Sequence, residues 1–263
     1  MVACLHSNFR TPAMTLRHHL IAALFFALPA AQAATLVEIK AGGEITKIYY
    51  EGSMSRLETP GNRGYMVIDS ARQTMHMVIP EQRMVMDMSD TLKNAPGDAT
   101  DSGIRIDISK QGSGPRVAGY KTTRYSHSAN NKNCGTLLTS QEAMEDTGMG
   151  EVLEMMERMS AQADAMISAF NRNADPCQRS SMQLTKRLKD IGVPLRVLDA
   201  GGAVVSEVIR IDRKAKLPAN AFTVPSDYQV QNTHKMMQDA RQQMQKMPDI
   251  QEMMKQMQQQ RAQ

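Results

Sequence analysis

Methionine recurs at every second position on both sides of a proline-led turn in Met75-His76-Met77-Val78-Ile79-Pro80-Glu81-Gln82-Arg83-Met84-Val85-Met86-Asp87-Met88. Two is the period of a β-strand, whose side chains alternate between faces, so the segment reads as a β-hairpin. Met75 and Met77 share one face of the first arm, and Met84, Met86 and Met88 share one face of the second. Turn length decides whether the two faces coincide. A two-residue turn using Pro80 pairs Met77 with Met84 and Met75 with Met86. A four-residue loop from Pro80 to Arg83 pairs Met77 with Met86 and Met75 with Met88. Both registers collect all five thioethers on one side. A three-residue loop would split them, but it favours a glycine in the left-handed region, and the segment has none. Whatever this chain folds into must place a soft, polarizable, non-aromatic strand face somewhere.

The N-terminus points to export. Arg17, His18 and His19 form a short basic start, Leu20 to Leu28 is apolar, and Ala31-Gln32-Ala33 has small residues where a signal peptidase cuts. Residues 14–33 therefore read as a signal peptide cleaved near Ala33, and the protein is expected in the periplasm. The apolar run is too short to span a bilayer, which needs about 20 residues. No later stretch approaches that length, so no transmembrane span is expected. The start codon is left open between Met1 and Met14. Cleavage removes Arg10 and Arg17 but no acidic residue, which brings the formal net charge from +4 to +2. A nearly balanced chain with 4% aromatic residues and no tryptophan lacks the basic stripe and stacking platforms of a nucleic-acid binder.

Cleavage also removes Cys4 and leaves Cys134 and Cys177. An even pair in an exported chain reads as a disulfide. A metal site or a redox pair is the alternative, but neither Cys-x-x-Cys spacing nor a neighbouring histidine supports one.

Turn signals and periodicity divide the remainder. Ala34 to Ala41 and Glu44 to Tyr50 alternate around Gly42-Gly43, as hairpin strands do. Met54 to Glu58 and Tyr65 to Asp69 flank Pro60-Gly61-Asn62-Arg63-Gly64, a strong turn. After the methionine hairpin, Ser89 to Gly103 reads as a loop. Strands are expected around Ile104, Ile106 and Ile108, over Val117 to Ser126, and over Gly135 to Ser140. Ser140, with Glu142 and Glu145 after it, marks a helix start. Val152, Met156, Met159, Ala163, Met166 and Phe170 continue at helical spacing. Gln178 to Ile191 is a second helix, and Leu195 to Asp199 and Val204 to Ile211 form another hairpin around Gly201-Gly202. The fold class is α+β: a curved, mainly antiparallel sheet, an unclosed barrel, over residues 34–228, with two helices inserted at about 141–191. Residues 232–263 form a glutamine-rich tail with seven methionines. Its amphipathic pattern is interrupted at Pro248 and reads as a solvated, partly ordered helix.

Several segments together resemble the secreted bacterial proteins of the domain of unknown function 4412 family. They are Tyr50-Glu51-Gly52-Ser53-Met54-Ser55-Arg56, Gly64-Tyr65-Met66-Val67-Ile68-Asp69, Ile79-Pro80-Glu81-Gln82, Val117-Ala118-Gly119-Tyr120, and Leu217-Pro218 through Ser226-Asp227-Tyr228. The resemblance covers most of residues 44–228. The element order is also similar to the periplasmic lipoprotein-carrier architecture, an unclosed barrel with helices over its mouth. Both likenesses imply fold and compartment; neither implies catalytic residues or a cofactor.

The chemistry of the chain narrows to the methionines. After cleavage His76, His127 and His234 are far apart in sequence, and the chain carries no Gly-x-Ser-x-Gly, His-Glu-x-x-His or phosphate-binding glycine loop, so an enzyme is not expected. His76 and Asp87 fall on the hairpin face opposite the methionines, read as solvated. The methionine face has three readings. It is core; or it is an adaptable apolar groove, because methionine is unbranched and flexible; or it is a soft metal site, because thioethers bind Cu(I). The expected function is a non-catalytic, periplasmic binding or carrier-like protein. Its groove of Met75, Met77, Met84, Met86 and Met88 holds an apolar ligand, a lipid tail or a protein segment. The alternative is a Cu(I) protein using Met75, Met77, Met84 and Met86. The oligomeric state is left open.

Overall fold

The computed structural model describes residues 34–93, 104–150, 153 and 175–246. The expected signal peptide and the helical pattern beyond Leu153 lie outside these residues. Twelve strands form one curved, unclosed and mostly antiparallel sheet in the order β12-β6-β5-β4-β3-β2-β1-β11-β10-β9-β8-β7. One half is a meander of β1 (Ala34–Ala41), β2 (Glu44–Glu51), β3 (Met54–Glu58), β4 (Tyr65–Asp69), β5 (Thr74–Ile79) and β6 (Met84–Asp87). The other half holds β7 (Ile106–Val117), β8 (Tyr120–Ala129), β9 (Lys132–Ser140) and β10 (Val193–Leu198). The long strand β11 (Val204–Ala215) joins the halves by pairing with both β1 and β10.

The strand expected over Val117 to Ser126 is corrected. Val117 ends β7, Ala118 and Gly119 make a turn with positive φ at both residues, and β8 begins at Tyr120. A β-turn with left-handed central residues suits the twist of a tight hairpin, which explains why alternation alone placed this boundary wrongly. The loop expected from Ser89 opens instead with a short helix, α1 (Ser89–Lys93).

Ser140 caps α2 (Gln141–Thr147), its Oγ accepting from the Ala143 N–H, as expected from its hydroxyl and the acidic residues after it. The second expected helix is two helices, α3 (Pro176–Gln183) and α4 (Thr185–Ile191). Asp175 caps α3 and Pro176 occupies its first turn, where a missing N–H costs nothing. Gly192 closes α4 at φ +89°, and a Cβ there would lie 2.5 Å from the Ser140 carbonyl carbon. Only glycine allows this crossing. The Cys134–Cys177 disulfide ties β9 to α3, with the Cα atoms 5.3 Å apart.

Two clusters form the core of this half and its junction with the meander. Val37, Tyr50, Leu138, Val193, Leu195 and Val208 pack together with Ala143 of α2. Leu137 packs with Leu184, Leu188 and Ile191, against Tyr125 and Val197.

After β11 the chain runs back across one face of the meander. The Arg56 guanidinium donates to the Ala221 carbonyl at 3.0 Å, Tyr65 donates its hydroxyl hydrogen toward the Thr223 carbonyl at 3.5 Å, and Arg83 pairs with Asp227 at 2.6 Å. The chain then adds β12 (Gln229–Asn232) to β6 as the sheet's one parallel pair among the described residues, and α5 (Thr233–Lys246) follows. Thr233 anchors α5 by donating to the Asp87 carbonyl at 3.0 Å. Beyond this point the helix is largely exposed, Met236 and Met237 included.

Candidate functional site

The β5–β6 connection is the four-residue loop. Pro80, Glu81 and Gln82 make a 3-10 turn, and Arg83 closes it in the left-handed region, donating its N–H to the Pro80 carbonyl. Met77 stands opposite Met86 and Ile79 opposite Met84. The Met88 N–H donates to the Met75 carbonyl at 2.9 Å, which continues the same register. The structure therefore selects the second of the two registers that the sequence allowed, and Met75, Met77, Met84, Met86 and Met88 share a side.

Pairing across β4 extends the face. Met66 lies opposite Met77, and Ile68 opposite Met75. Met66, Met77 and Met86 thus form a direct row over three adjacent strands, with neighbouring Cα atoms roughly 4.5–5.5 Å apart. Leu57 continues the row on β3, and Ile48 on β2. Sequence reasoning missed Met66, because its position depends on the β4–β5 register and not on alternation within one hairpin. Burial along the face is graded. Met75 is 1% exposed and packs with Ile68, flanked by Met66 and Met88. Met77, Met84, Met86 and Met88 are half-buried. The Ser55 hydroxyl, also on this face, is buried without a hydrogen-bond partner.

Charge is segregated across the meander. Among the described residues of β3 to β6, the methionine face carries Ser55, Leu57, Met66, Ile68, Met75, Met77, Ile79, Met84 and Met86, none of them charged. The opposite face carries Arg56, Glu58, Asp69, His76 and Asp87. Arg56 stacks on Tyr65 with its guanidinium carbon 3.5 Å from the ring centroid, and pairs with Glu58 at 3.3 Å. The reading of that opposite face as solvated is corrected. Val78 and Val85 lie on it with 0% exposure, and His76 and Asp87 form a half-buried pair at 3.7 Å. Residues 216–228 return along this side and bond to Arg56, Tyr65 and Arg83, and nothing in the hairpin itself signals it. Asp87 titrates below the usual carboxylate range: burial opposes this, but hydrogen bonds from Ser89 and the charge of His76 outweigh it.

Among the described residues the histidines occupy three separate places. His76 faces Asp87, His234 meets Gln238 at 2.8 Å, and buried His127 lies 3.1 Å from the Ser180 hydroxyl. The Ser180 hydroxyl is also within hydrogen-bond reach of the Cys177 carbonyl, at 2.9 Å. Burial pushes the His127 imidazole below its ordinary titration range. Among the described residues no three His, Cys, Asp or Glu side chains are grouped to hold a metal ion, and no helix is long and apolar enough to cross a membrane.

Residues 36–228 match the model of a domain of unknown function, DUF4412. No curated protein matches the sequence. Among solved structures, the chain is similar to the crystal structure of MucB at 13% identity and a TM-score of 0.33, over 76% of this chain and 60% of that one. It is likewise similar to the complex structure of Pseudomonas aeruginosa MucA/MucB at 12% identity and a TM-score of 0.35, over 76% and 58%. The chain thus spans less than two thirds of the length of these structures.

Proposed function

The chain belongs to the DUF4412 family, and from that premise we propose that it is an exported, non-catalytic binding or carrier-like protein of the periplasm. Its methionine face holds an apolar ligand, a lipid tail or an apolar protein segment. The observation that carries this reading is the division of the meander. Every charge of β3 to β6 lies on the side crossed by residues 216–228, while the side left to Met77, Met84 and Met86 is uncharged and half-buried. The valine side uses β-branched residues suited to fixed packing in strands. The other side uses thioethers on unbranched chains, which adapt to more than one partner shape. The disulfide and the signal-like N-terminus support an oxidising compartment.

The test is binding of the uncharged fluorophore N-phenyl-1-naphthylamine. Wild-type protein is expected to bind it. Met86→Gln keeps the length of the side chain and replaces its apolar end, and should weaken binding about tenfold, equivalent to about 1.4 kcal/mol. Equal binding by both proteins would count against the face.

The row of Met66, Met77 and Met86 favours one second reading, a Cu(I) site of three thioethers. Met77→Leu keeps the volume and removes the sulfur. Under that reading the variant folds normally but loses Cu(I) to a competing chelator, while its uptake of the fluorophore is unchanged.

A further inference from the structure

An apolar cavity of about 380 Å³ lies where α3 and α4 meet the sheet, away from the methionine face. Its volume falls in the range of small-ligand sites, roughly 300–1,000 Å³. Leu137, Leu184 and Leu188 are buried and form its floor. Val205, 52% exposed, and exposed Asp199 stand at its rim. The Cys134–Cys177 bond is part of the wall and fixes α3 against β9. This site does not depend on the methionine face.

The lining decides what fits. Among the described residues that line the cavity there is no phenylalanine, tyrosine or tryptophan to stack on a flat ligand, and no lysine or arginine to hold an anion. His127 is kept neutral by burial, and its Nε2 is engaged by Ser180. The one charged lining residue is Asp199, whose Oδ1 accepts from the Gly201 and Ala203 amides, both at 2.9 Å. That pairing holds the carboxylate in place at the rim. An aliphatic floor beneath a fixed negative charge suits an alkyl chain that enters tail first and leaves an uncharged or cationic headgroup outside.

We propose that this cavity binds the alkyl chain of an amphiphile with an uncharged or cationic head, and that Asp199 selects against anionic heads. Three probes share a twelve-carbon chain: dodecyl maltoside, dodecyltrimethylammonium and laurate, each used below its micelle concentration. Calorimetric titration of the oxidised protein should show binding of the first two and about fivefold weaker binding of laurate, the scale of one partly screened charge contact. Val205→Glu alters an exposed side chain, so the fold is kept. It should weaken dodecyl maltoside on the order of tenfold, because the chain must pass a charge. Asp199→Asn keeps the Oδ1 acceptor and removes the charge, and should bring laurate level with dodecyl maltoside. Met86→Gln should leave all three affinities unchanged, which separates this site from the methionine face. Failure of wild-type protein to bind dodecyl maltoside would overturn the proposal. So would unchanged binding in Val205→Glu, or laurate binding tightest.

Discussion

Met75 and Met86 sit in adjacent rows on one face, yet the structure gives them different surroundings. Met75 is 1% exposed against Ile68, Met66 and Met88, whereas Met86 is half-buried near the edge strand β12. Truncating a fully buried methionine to alanine costs about 2–5 kcal/mol, since a cavity adds to the lost transfer energy. With Met75→Ala taken at about 3 kcal/mol, and about 2–4 °C lost per kcal/mol in a domain of this size, the melting temperature should fall by about 6–12 °C. Met86→Ala exposes less surface, and water fills the space it leaves. Its cost should be about 1 kcal/mol, or about 2–4 °C. Met75→Leu conserves volume and should cost less than about 1.5 kcal/mol. Thermal melts by circular dichroism, with urea midpoints at constant m-value as the check, measure all three. Equal losses for Met75→Ala and Met86→Ala would mean that the whole face is closed core, and the groove reading would fail with it.

The disulfide closes a 43-residue separation, so Cys134→Ser with Cys177→Ser should cost about 4 kcal/mol by the chain-entropy model, and thiol labelling of unfolded, unreduced wild-type protein should modify neither cysteine. Burial lowers the His127 pKa from the ordinary 6.5, so the unfolded chain binds this proton more readily. The stability that follows is fully present above pH 6.5 and is lost as the pH falls through 6.5 toward the folded-state value. Urea midpoints measured across that window should fall less steeply in His127→Phe than in wild type, and equal slopes would contradict the assignment. Ending the chain at Gln238 keeps β12 and the Thr233 anchor and should barely change the melting temperature. Ending it at Tyr228 strips the edge of β6 and should lower the melting temperature by several degrees. N-terminal sequencing of protein recovered from the periplasm should begin at or near Ala34, and an intact Met14 in the cytoplasm would remove the export reading.

Local signals placed most strands of the sheet because each meander strand is bounded by glycine, proline or polar turn residues and alternates cleanly. The Ser140 cap and the Cys134–Cys177 pair were legible for the same reason: each follows from residue chemistry alone. What alternation cannot supply is a partner from far along the chain. Met66 joined the row only through the β4–β5 register. Val78 and Val85 read as the outer side of a hairpin, yet both are fully buried. Residues 229–231 fall between the expected sheet and the expected tail and belong to neither pattern, yet they pair with β6 in parallel. In the hairpin, the left-handed residue that closes the turn is Arg83 rather than a glycine, so the turn rule excluded the three-residue loop but did not choose between the other two.

The most direct test of the methionine face is nuclear magnetic resonance of protein labelled with carbon-13 at the methionine methyls, with signals assigned by single Met→Leu changes. Titration with N-phenyl-1-naphthylamine should shift the methyls of Met77, Met84 and Met86, at the same concentrations that raise the probe's fluorescence. The exposed methyls of Met236 and Met237 should stay in place. Shifts confined to Met236 and Met237, or no shift at Met77, Met84 and Met86 while the probe is bound, would contradict the account.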